Sequence, residues 1–101
     1  MDNVIAQIAK WYEENVERLS KQFGNVSLRS NIDSEQGGIV IEIEAKTLVA
    51  SITFWNKGDV EVLVLKKGSQ NPIDLDDRVL SPDENVSSLL DGYIREILLL
   101  G

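Results

Sequence analysis

The chain has 101 residues, of which 17 are acidic and 10 basic, and it contains no histidine or cysteine. A net charge of -7 and a pI near 4.4 argue against a nucleic-acid backbone or an anionic membrane as partner. The two missing residue types remove the commonest general base, thiol chemistry, disulfides and nearly every transition-metal site. With 43% apolar and 27% charged residues, one globular domain spanning 1–101 is expected. Met1-Asp2-Asn3-Val4 opens without a basic segment and apolar run, and no stretch nears the ~20 apolar residues of a membrane span. The expectation is a soluble, cytoplasmic protein whose acidic surface suits gripping something basic, although acidity also serves plain solubility.

Ile5, Ile8, Tyr12, Val16, Leu19 and Phe23 recur at intervals of three and four, with Val4 and Trp11 widening the stripe. This is one face of a helix, stopped by Gly24 and braced by the spacings Glu14–Arg18 and Glu17–Lys21. Period two follows. Val26 and Leu28 suggest a short strand, and Asn31 to Gly38 reads as a loop. Ile39, Ile41 and Ile43 mark a second strand; Leu48, Ala50, Ile52 and Phe54 mark a third. Asn56-Lys57-Gly58-Asp59 is a tight hairpin signal leading to Val60, Val62 and Val64 on a fourth. Lys66 to Pro72 is turn-rich, and Ile73 to Leu80 is either a fifth, edge strand or an irregular connection. Ser81-Pro82-Asp83-Glu84 has the form of a capping box opening a second helix through Val86, Leu90, Tyr93, Ile97 and Leu100. Gly92 interrupts that helix and suggests close packing beside Leu89.

The expected fold is α+β: a helix, a four- or five-stranded antiparallel meander and a second helix, both helices on one sheet face. Ile41, Ile52, Phe54, Val62, Tyr12, Val16, Tyr93 and Ile97 should share the core. The pleat then assigns Val40, Glu42, Glu44, Val49, Ser51, Thr53, Trp55, Glu61, Leu63 and Leu65 to the other face. Acids there surround an apolar centre carrying tryptophan, a residue type enriched at binding hot spots. Asp74, Asp76 and Asp77 open like a calcium loop, but Val79 stands where glycine is needed and Asn85 where the bidentate glutamate belongs. No metal and no cofactor are expected. Glu42 and Glu44 lie about 7 Å apart on one strand face with no further groups to make a catalytic set. Gly37-Gly38 precedes a strand rather than a helix and is no phosphate loop. A binding protein is expected rather than an enzyme.

Trp11-Tyr12-Glu13-Glu14-Asn15 through Gly24, and above all Ser51-Ile52-Thr53-Phe54-Trp55-Asn56-Lys57-Gly58-Asp59-Val60-Glu61-Val62, carry a resemblance. Together they resemble the TriTu-type immunity proteins of bacterial polymorphic toxin and contact-dependent inhibition systems; the C-terminal third matches in layout only. The resemblance implies a small cytosolic protein that neutralises a cognate toxin domain, often a ribonuclease, by binding it, with no catalytic residues. Basic nucleases suit an acidic partner, and the expected contacts are Trp55, Glu42, Glu44, Glu61, Asp74, Asp76 and Asp77. The expected state is a monomer, with a dimer as the other possible state. The alternative is an acidic secretion or effector chaperone, which would be a dimer and would carry a further helix between strands.

Overall fold

The computed structural model describes residues 2–30, 37–55 and 57–101. In chain order the elements are α1 (Asp2–Phe23), β1 (Asn25–Ser30), β2 (Gly38–Glu44), β3 (Leu48–Trp55), β4 (Asp59–Lys66), β5 (Ile73–Val79) and α2 (Val86–Leu100). The five strands form one antiparallel sheet in sequence order, each paired with its chain neighbour. The ambiguous segment is thus a strand, on the edge beside β4.

Turn chemistry follows the sequence closely. Gly24 ends α1 with φ +112°, its N–H donating to the Ser20 carbonyl at 2.9 Å. Gly58 closes the β3–β4 hairpin with φ +101°, donating to the Trp55 carbonyl at 2.9 Å. Asn56 of that turn, and 31–36 of the expected β1–β2 loop, lie outside the described residues. Gly38 is the first residue of β2 rather than the end of a loop.

One sheet face takes both helices. Ile39, Ile41, Ile43, Ala50, Ile52, Phe54, Val60, Val62 and Val64 are buried in a single cluster with residues of both helices. Each Ile or Val withdrawn from water stabilises by ~1.5–3 kcal/mol, so the period-two stripes select this face without help from any polar contact. Tyr12 and Val16 are half-buried rather than central. The stripe of α1 is centred on Ile8, Trp11 and Leu19 instead, with Trp11 only 4% exposed. Its indole Nε1–H donates to Asp91 Oδ1 of α2 at 3.1 Å, tying the helices together. The Tyr12 hydroxyl donates to the Val26 carbonyl of β1 at 3.2 Å, which requires a place at the margin.

Three local expectations are corrected. Lys21 pairs with Glu17 at 3.8 Å, but Arg18 donates to Asn15 Oδ1 at 2.8 Å instead of engaging Glu14. The cap of α2 is Asn85, not Ser81: Asn85 is extended and its side chain accepts the Ser88 N–H at 3.0 Å. Ser81 and Glu84 belong to the preceding turn, where the Ser81 hydroxyl donates to Glu84 Oε2 at 3.1 Å. Gly92 does not mark close packing, because a Cβ added there meets nothing within 4 Å. Gly92→Ala should therefore stabilise the fold by ~1 kcal/mol through helix propensity. A higher urea midpoint would show it; a lower one would mean that the site is crowded.

Candidate functional site

The cross-strand register lays out the uncovered face. One row runs Ser27, Glu42, Ser51, Leu63 and Asp74; the next runs Arg29, Val40, Thr53, Glu61 and Asp77. Glu44, Val49 and Leu65 form a row towards one end, and Trp55 stands at the other. Most of the β2, β3 and β4 side chains on this face are half-buried by their neighbours alone. They include the apolar Val40, Val49, Leu63 and Leu65, which no helix covers.

Charge is unevenly spread over the face. Arg29 on β1 is ion-paired with Glu42, so that carboxylate already has a cation. Glu44, Asp59, Glu61, Asp74 and Asp77 are in none of the ion pairs among the described residues. Glu61 and Asp77 sit directly opposite one another on β4 and β5. Like charges so placed destabilise a sheet.

The aspartate cluster is split by a β-bulge. Val62 pairs with Asp76 but Leu63 pairs with Asp74, leaving Leu75 as an extra residue in β5. Strict alternation would put Asp74 and Asp76 on one face and Asp77 on the other. The bulge instead turns Asp76 and Arg78 towards α2, with Asp74, Asp77 and the 69%-exposed Val79 outwards. Asp76 Oδ2 accepts the Tyr93 hydroxyl at 2.5 Å and Arg78 Nε at 3.0 Å. Arg78 continues to Glu84 Oε1 at 2.6 Å. Asp76 therefore fastens β5 to α2, away from the face that holds the other expected contacts. The three aspartates do not converge as calcium ligands would, and calorimetric titration of micromolar calcium should give no binding heat.

Desolvation pushes the Asp76 carboxyl up, but the hydrogen bonds from Tyr93 and Arg78 and the Arg78 charge outweigh it and hold the group below its usual range. Burial, with the Asp76 hydrogen bond and charge, pushes the Tyr93 hydroxyl above its usual value. A depressed carboxyl stabilises fully above its unfolded value near 4, and that contribution fades as pH falls through the folded value. A raised tyrosine stabilises below about 10, and its contribution is lost as pH rises further. Stability should thus hold between these limits and fall at both ends. Tyr93→Phe should cost ~1.5 kcal/mol at neutral pH and remove part of the alkaline fall. Urea midpoints measured across pH would check both; an unchanged alkaline limb would contradict the assignment.

The uncovered face is concave. An open concavity of about 710 Å³ includes Glu42, Glu44, Val49, Ser51, Leu63 and Leu65 in its lining. A second, of about 430 Å³, lies between Arg29, Val40, Thr53 and Trp55. Trp55, Glu42, Glu44, Glu61, Asp74 and Asp77 thus share one face, and Asp76 does not. Asp59 and Val79 join that face without having been singled out from sequence. The parity of Asp59 with Glu61 was readable; that of Val79 depends on the bulge.

The sequence pattern of the family described as "Immunity protein TriTu" matches residues 6–96, nearly the whole chain and every element of the fold. The chain belongs to the TriTu immunity protein family. No curated protein and no solved structure gives a significant match. Membership supports a toxin-neutralising role with a toxin protein as partner. In this TriTu immunity protein no helix lies between strands among the described residues, unlike the layout expected of the chaperone alternative. No helix is long and apolar enough to cross a membrane among those residues.

Proposed function

We propose that this immunity protein neutralises its cognate toxin by direct occlusion, docking the uncovered sheet face on a basic toxin domain of ribonuclease type in the cytoplasm. One observation carries the reading: among the described residues, a half-buried apolar sheet face around Trp55 has no covering layer and is bordered by carboxylates that are in no ion pair. Glu61 opposite Asp77 is a local conflict that costs stability in the free protein and is relieved when a cation arrives. Nucleases hold phosphates with basic residues, so an acidic face gains steered encounter and covers the site that RNA would use. Trp55 supplies the desolvated anchor; Glu44, Glu61, Asp74 and Asp77 set approach and register, with Glu42 shared with Arg29. The protein acts as a monomer and needs no catalytic residue of its own.

The test combines co-expression with the cognate toxin domain and measurement of RNA cleavage. The native protein should protect cells and suppress cleavage at a 1:1 ratio, and competition by added substrate RNA should weaken the complex. Protection without complex formation, or a complex in which cleavage continues, would contradict occlusion.

A further inference from the structure

The uncovered face has a shape as well as a charge. β3 is its middle strand, and the outward side chains Val49, Ser51 and Thr53 are short. Beside them Glu42 and Glu44 stand on β2, and Leu63 and Leu65 on β4. These walls are two strand spacings apart, about 10 Å, which is close to the diameter of an α-helix with its side chains. The eight residues of β3 run about 26 Å, and Trp55 stands at one end. One concavity crosses β3 at Val49 and Ser51, reaching from β1 to β4; the other lies beside Thr53 and Trp55, on the β1–β2 side of β3. Beside Val49 and Ser51 the β2 wall is anionic and the β4 wall aliphatic; beside Thr53 the order reverses, with Val40 on β2 and Glu61 on β4.

We propose that this trough seats one amphipathic helix of the toxin, laid along β3 with its basic side chains towards Glu42 and Glu44 and its aliphatic ones towards Leu63 and Leu65. The proposal rests on the uncovered face being the toxin-binding face, and goes beyond it in naming the element that enters and its orientation. Backbone chemistry favours a helix over an extended segment. The N–H and C=O groups of β2, β3 and β4 are engaged in their own ladders, so a strand laid across this face would find no backbone partners. A helix satisfies its own. A strand added at an edge would leave Val49, Leu63 and Leu65 wet. About 17 helical residues span the trough.

Two measurements with the cognate toxin domain test this. Ser51→Trp fills the floor and should weaken binding about 30-fold or more, the loss of one hot spot, whereas Ser51→Ala should bind within about twofold of the native protein. Independently, a benzophenone side chain placed at Ser51 should photo-cross-link to a toxin helix bearing Lys or Arg on one flank and aliphatic residues on the other. That readout does not depend on Ser51→Trp folding. Cross-links confined to a toxin loop or strand, or native affinity in a folded Ser51→Trp variant, would overturn the trough while leaving toxin neutralisation intact. Failure of the unmodified protein to bind the toxin would instead overturn the docking reading on which the trough depends.

Discussion

Gly38→Ala should destabilise the fold by about 3 kcal/mol, a large fraction of the ~5–15 kcal/mol that holds a domain of this size. Gly38 opens β2 and pairs with Trp55. A Cβ built there runs into the Phe54 carbonyl oxygen and stands 2.9 Å from the Trp55 Cα. Both obstacles are backbone of the central strand, and neither has a rotamer by which to move aside. The demand is for close approach rather than for a left-handed conformation, since Gly38 is not among the positive-φ glycines. Urea unfolding beside Gly92→Ala makes the comparison sharp. The same substitution should lower the midpoint at Gly38, where backbone is in the way, and raise it at Gly92, where there is open space. Equal shifts at both positions would mean that the tight β2–β3 approach at Trp55 is not present in solution.

Trp55→Ala should weaken the toxin complex by about 2 kcal/mol or more, mostly by faster dissociation, while the isolated protein remains folded. The indole is half-buried on the uncovered face, beside Gly38 and at the end of the Val40–Thr53 concavity. A partner that covers it removes the rest of its surface from water. Asp77→Lys should act differently. Opposite Glu61 it replaces a repulsion by an attraction, so the free protein should gain a few tenths of a kcal/mol. Association with a basic toxin should nevertheless slow, and salt should shrink the difference as screening removes the long-range term. Stopped-flow association and surface-capture dissociation at two salt concentrations separate the effects. If both variants bind as the native protein does, the interface lies elsewhere, on the helices or the Lys66–Pro72 turn, and the assignment of the sheet face fails.

The elements, their order and the identity of the buried face were legible in the chain. Ile39, Ile41 and Ile43 alternate with partly polar residues, and α1 repeats every three to four, so burying apolar surface leaves little choice of which side faces inwards. Gly24 and Gly58 announced their turns because they supply the positive φ that other residues resist. The most distinctive motif, Ser51 through Val62, lies on β3, its hairpin and β4, so the tryptophan and carboxylates that pointed to binding were found together. What alternation cannot foresee is a residue inserted out of phase. The bulge at Leu75 reverses the faces of everything after it in β5, turning Asp76 inwards to Tyr93 and Asp77 outwards to Glu61. Asn85 rather than Ser81 caps α2, and Glu84 is held in the preceding turn by Arg78 at the end of β5, a contact that the Ser81–Glu84 motif does not contain. Pairing of Arg29 with Glu42 is likewise a property of neighbouring strands, and it moves the unpaired negative charge towards the β4–β5 edge. Local spacing determined which residues are apolar-faced and where the chain turns; only the assembled sheet decided which carboxylates stand together, because that depends on register between strands distant in sequence.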